Sequence, residues 1–134
     1  MQKSDQVESG INLLAKNIHL GNKEKGFWDT DRNVGEMLML VTSELGEAMD
    51  AHQCNKFASI TLFNRELEVA QKIHDKAFEM AFKIHIKDTF EDEIADAIIR
   101  LLDMAAGLNI DIEKHIALKL RYNKSRPRLH GKAY

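Results

Sequence analysis

The sequence contains one cysteine, one proline and seven glycines in 134 residues, and only 7% of it is aromatic. A lone thiol, Cys54, cannot close an internal bridge, so a disulfide scaffold is excluded and a reducing compartment is the expected setting. Scarce proline and glycine leave little of the punctuation that separates strands. No apolar run approaches the ~18 residues of a membrane span, and the stretch from Met1 to Gly10 lacks the apolar core of a signal peptide. The expectation is a cytoplasmic chain without a membrane partner. What is present is a balance of 44% apolar and 30% charged residues, which fits one compact folded domain. A chain of this size hides about 65–70% of its unfolded surface, enough for a core without a structural metal.

The net charge of −2 is uninformative until it is located. From Lys119 onward there are six Lys or Arg and no acid. The first 118 residues hold the other 13 bases against all 21 acids, a balance of −8. An acidic body therefore carries a basic tail. Without interleaved aromatics, that tail is a poor nucleic-acid surface.

Helical periodicity dominates, and the chain is expected to be all-α, a bundle of four to five helices. A first helix is read from Asp5, with Glu8 completing a capping box, to a stop at Gly21-Asn22. A second starts near Asn33 and carries Val34, Met37, Leu38, Val41, Leu45, Ala48 and Met49 as a core stripe. A third is capped by Asn64 and ends about Lys87, where His74 and His85 share a face ~16 Å apart, too far for one metal. A fourth spans Thr89 to Ala106 and stops at Gly107. Its apolar surface, through Ile94, Ala97, Ile98, Leu101 and Ala105 with Ala95, Ile99, Leu102 and Ala106, runs most of the way round. A helix buried on two sides in so short a chain calls for a second copy of the protein, a homodimer or homotetramer. A fifth helix lies between Asp111 and Pro127.

The strip left polar on the fourth helix holds Glu93, Asp96, Arg100 and Asp103, stacked at spacings of three, four and three. On the second helix Glu44 and Glu47 are also i, i+3, with Glu44 beside the apolar stripe. Two helices thus each present an acidic pair near a core-facing edge. If the pairs converge, four carboxylates cannot all stay ionised without a cation. Oxygen-only ligands select a hard ion, Mg²⁺ or its substitute Mn²⁺, over zinc. A di-iron carboxylate site of ferritin type needs E-x-x-H, and no Glu here has a His three residues later. Arg100 has two readings, a structural counter-ion or a phosphate ligand. Cys54 has no evident activating partner.

The pairing of E44-L-G-E47 with E93-I-A-D96 resembles the E-x-x-E, E-x-x-D signature of the MazG-like all-α nucleoside triphosphate pyrophosphohydrolases, which include dimeric dUTPases and dCTP pyrophosphatases. Lys25-Gly-Phe-Trp-Asp, then Arg32-Asn33 leading into the first acidic pair, is similar to the family's approach to that motif. F-E-D-E-I-A-D-A-I-I-R-L-L-D followed by Lys119, Asn123 and Arg126 resembles its second motif and C-terminal helix. The resemblance implies a single helical domain that hydrolyses nucleoside triphosphates to monophosphate and pyrophosphate, a nucleotide-pool house-cleaning activity. It implies Glu44, Glu47, Glu93 and Asp96 as Mg²⁺ ligands, with Glu44 or Glu47 activating the attacking water. Lys119, Asn123 and Arg126 are the implied phosphate contacts, and Trp28, Phe27 and Asn33 the implied base contacts. The motifs here are separated by a longer helical insertion at about 55–88 than compact members carry. The competing reading is a non-catalytic helical oligomer or nucleotide-binding module with solvated acidic faces.

Overall fold

The structure is a computed structural model that describes residues 10–70, 75–131 and 133. Among these residues there is no strand, and six helices follow one another: α1 (Ile11–Glu24), α2 (Val34–Gln53), α3 (Ile60–Val69), α4 (Asp75–His85), α5 (Phe90–Gly107) and α6 (Ile112–Ser125), before a short 3-10 turn at Arg128–Gly131. The all-α class holds. The helix count exceeds the expected four or five because the third helix is two. Ser59, not Asn64, caps α3 by accepting from Leu62 N–H, and α3 ends at Val69. α4 returns antiparallel to it: Ser59 N–H bonds His85 C=O at 3.1 Å, and Phe63 meets Phe78 edge to face at 5.6 Å. His74 and the Asp5/Glu8 box lie outside the described residues.

Three helices end in the same way, with a left-handed residue whose neighbours bond back into the last turn. After α1, Gly26 (φ 86°) is that residue, with Gly26 N–H to Lys23 C=O and Phe27 N–H to Asn22 C=O. Gly21-Asn22 is therefore helix interior, not a stop. Asn55 (φ 54°) ends α2 and Asn109 (φ 56°) ends α5, each a short polar side chain that tolerates this conformation. At the other ends, Asn33 caps α2 by accepting from Glu36 N–H, and Asp111 caps α6 by accepting from Lys114 N–H.

The chain divides into two compact units, one made of the segments through Asp31 and from Leu102, the other of Arg32–Leu101. In the first, α1 and α6 cap each other. Glu113 accepts from Ile11 N–H at 3.0 Å, and Asn12 accepts from Glu113 N–H at 3.1 Å while donating to Asp111 at 2.7 Å. Gly10 (φ 83°) leaves room for Glu113, which a Cβ would strike. At the centre of this unit Asp103, 3% exposed, accepts hydrogen bonds from His19 Nδ1, Asn22 Nδ2 and Trp28 Nε1 at 2.8 to 3.1 Å. The Trp28 ring lies against Gly107 and meets His19 edge-on at 4.7 Å.

In the second unit the buried edge of α2 is Met37, Val41, Glu44, Ala48 and Ala51. The expected stripe is shifted. Val34, Leu38, Leu45 and Met49 are exposed, and a carboxylate occupies the middle of the buried row. On α5, Glu93 and Ala97 are buried, while Ile98, Ile99 and Leu101 are exposed.

Candidate metal centre

Glu44 enters the buried row of α2 because it stands three residues after Val41 and four before Ala48, the spacing that repeats one helical face. Only 7% of it is exposed. Glu47, one turn on, is exposed at the edge of that row. α5 opens after Thr89, whose hydroxyl accepts from Asp92 N–H at 3.4 Å, and its first turn turns Glu93 inward to 4% exposure. One carboxylate oxygen from each of Glu44, Glu47 and Glu93 lies within 4.8 Å of the others. Asp96, half-buried one turn along α5, stands outside this trio but feels the charges of Glu44 and Glu47.

Electrostatically the group is overloaded with negative charge. Desolvation, then the neighbouring carboxylates of Glu47, Glu44 and Asp96, push the Glu93 carboxyl up to about 7, and a hydrogen bond with Glu44 favours the same protonated form. Burial and the charges of Asp92 and Glu44 raise Asp96, with Arg100 opposing. Arg100 Nε donates to Glu44 Oε1 at 2.6 Å, which settles one reading of that arginine as counter-ion to Glu44. Glu47 receives only a long 3.4 Å contact from the Ser43 hydroxyl among the described residues. Such a site takes either a proton on Glu93 or a cation. Three carboxylates with no imidazole or thiolate fit a hard divalent ion such as Mg²⁺, which binds few carboxylates and keeps several waters.

A second trio, Asp88, Asp92 and Glu93, is equally close. Two of its members are engaged locally: both Asp88 oxygens accept from Lys87 Nζ, and Asp92 accepts from Asp88 N–H at 3.0 Å, while Glu93 is shared with the first trio.

The residues expected to contact phosphate lie in the first unit. Lys119 Nζ and Arg126 Cζ sit 5.3 and 5.7 Å from the ring centroid of Tyr122, and Asn123 Oδ1 is buried without a hydrogen-bond partner among the described residues. Arg126 is the C-cap of α6 in an extended conformation, so it does not continue the helical face that its i+7 spacing implied. Of the residues expected to contact the base, Phe27 is 61% exposed. Trp28 is committed to Asp103 and Gly107, and Asn33 to the cap of α2. Asp103 and His19 form a centre that spacing alone did not reveal, because its donors lie 75 to 84 residues from the acceptor.

No family model matches the chain, and neither a curated protein nor a solved structure matches it.

Proposed function

We propose that this chain is a Mg²⁺-dependent hydrolase of MazG-like type that converts (deoxy)nucleoside triphosphates to the monophosphate and pyrophosphate. The observation that carries this reading is the meeting of Glu44, Glu47 and Glu93 from two helices, with Glu93 driven towards neutrality by burial and then by its neighbouring carboxylates. A bound Mg²⁺ or Mn²⁺ would mask polyphosphate charge and fix the line of attack at the α-phosphorus. Glu44, Glu47 and Glu93 hold the ion, with Asp96 beside them. Glu44 is held by its hydrogen bond from Arg100, so its carboxylate is not free to turn towards a water. Glu47 carries no such partner, so it orients the water and takes its proton. The water oxygen bonds to the α-phosphorus as the bond to the α,β-bridging oxygen breaks, and pyrophosphate leaves.

Lys119, Asn123 and Arg126 are the proposed phosphate contacts, supported by two cations gathered on one tyrosine ring, with Asn123 meeting a phosphate oxygen through its amide N–H. Among Phe27, Trp28 and Asn33, the exposed Phe27 ring is the freest to stack on a base. Homo-oligomerisation is supported by the apolar residues α2 and α5 leave exposed, Leu45, Met49, Ile98 and Leu101 among them. Among the described residues no helix is long and apolar enough to cross a membrane. A cytoplasmic nucleotide-pool role agrees with the single cysteine.

The test is a panel of canonical and modified (d)NTPs with Mg²⁺, resolving monophosphate plus pyrophosphate from diphosphate plus phosphate. Diphosphate release, or activity that survives Glu44→Ala, overturns the proposal. Nucleotide binding without turnover favours the binding module.

A further inference from the structure

We propose that Lys56 is a phosphate-contact residue of the acidic site, taking the pyrophosphate end of a Mg²⁺-bound substrate; this rests on the function proposed above. No motif points to Lys56, and its placement comes from the fold alone. A cavity of about 180 Å³ opens beside the trio, lined by the acids Glu47, Asp50, Asp88 and Glu93, by Cys54, and by Lys56 as its one basic residue among those described.

The backbone of Lys56 is held at both ends. Asn55, in the left-handed region, closes α2, and Lys56 N–H completes the closure on Ala51 C=O at 2.9 Å. Lys56 C=O accepts from Phe90 N–H at 2.9 Å, at the first residue of α5. The residue is thereby pinned between the end of the helix that carries Glu47 and the start of the helix that carries Glu93. Only the four-carbon arm is left to move. Its ammonium forms no ion pair among the described residues, although four carboxylates line the cavity, whereas Lys83 is paired with Glu79 and Lys87, beside the cavity, with Asp88.

A structural counter-ion in such a pocket would be expected on a carboxylate, as Arg100 is on Glu44. Lys56 instead offers a flexible point charge with three donors, suited to a phosphate group that arrives and leaves. Divalent cations cancel the carboxylates, and the condensed phosphate then brings further negative charge for Lys56 to meet, the one basic residue lining the cavity among those described and not held by a carboxylate.

Calorimetric titration with MgCl₂ alone, then with inorganic pyrophosphate in excess Mg²⁺, separates the roles on the full chain. Wild type should bind both. Lys56→Met should keep its Mg²⁺ affinity and its melting temperature but bind pyrophosphate at least ~10-fold more weakly, and Lys56→Arg should recover most of that loss. Pyrophosphate affinity unchanged in Lys56→Met, a loss confined to Mg²⁺, or a Mg²⁺-loaded wild type that ignores pyrophosphate overturns the assignment. If Glu44→Ala abolishes Mg²⁺ binding while Lys56→Met changes nothing, the function stands and Lys56 alone is wrong. A wild type that binds no Mg²⁺ overturns both.

Discussion

Arg100 Nε donates to Glu44 Oε1 at 2.6 Å, and this pair ties the middle of α5 to a carboxylate buried in the core row of α2. Its partial exposure at the arginine end keeps the Coulombic gain small. The larger effect is what its loss would leave behind. Arg100→Leu strands a buried acceptor, and we expect a loss of roughly 1–3 kcal/mol in metal-free urea unfolding. Added Mg²⁺ should restore much of it, since the ion takes over the charge. Equal destabilisation with and without Mg²⁺ would show that Arg100 acts by packing alone.

Glu93 sets a pH dependence opposite to that of a salt-bridged acid. Its folded value of about 7 lies above the ordinary 4.5, so the folded state binds the extra proton between those limits. Stability is therefore greatest below about pH 4.5 as far as this group is concerned, falls as pH rises towards 7, and is flat above. The total is on the order of 3 kcal/mol in the absence of metal. Asp96, raised in the same direction, adds to the slope. Unfolding measured in EDTA across this range should show the decline, and Glu93→Gln should flatten it. A metal-free wild type that gains stability from pH 5 to 7.5 contradicts the assignment.

Mg²⁺ competes with that proton. The rise in melting temperature on adding Mg²⁺ should be small at pH 5.5 and grow through pH 8 as Glu93 ionises. Glu93→Gln should melt higher than wild type without metal yet lose the response to Mg²⁺. Loss of one ligand from the cluster, in Glu44→Ala or Glu93→Gln, should lower Mg²⁺ affinity by at least ~10–100-fold. Scanning fluorimetry at three pH values decides this.

In the other unit, Gly107→Ala places a methyl group against the Trp28 ring. Overpacking of this kind costs about 1–3 kcal/mol. Because Trp28 is the only tryptophan, its emission should report the displaced ring directly. An unchanged spectrum and midpoint would mean the ring has room to slide.

Much of this was legible along the chain. The caps Asn33 and Asp111 announce α2 and α6 because each is a short polar side chain ahead of a periodic apolar run. The i, i+3 acids were legible because helical spacing fixes which side chains share a face. The break between α3 and α4 was not. No glycine or proline interrupts residues 64–87, and α3 and α4 are held together by Phe63 against Phe78 and by His85 on Glu66, contacts that exist only once the two helices have met. The end of α1 was misread because Gly21 is tolerated inside the helix and Gly26 supplies the left-handed turn. The buried stripe of α2 was misplaced because hydropathy alone ranks Leu45 above Glu44, whereas the core takes Glu44 with its arginine.

The mutual capping of Ile11 by Glu113 and of Glu113 by Asn12 joins positions 102 and 101 residues apart. The unit they belong to is discontinuous in the chain, and everything from Arg32 to Leu101 is inserted between its halves. During synthesis α1 leaves the ribosome long before its partners in the end of α5 and in α6 follow, while the intervening unit is continuous and can close on its own local contacts. The scaffold of the acid cluster is then assembled first, and the entropic cost of joining the chain's distant halves falls once that scaffold has already shortened the loop between them.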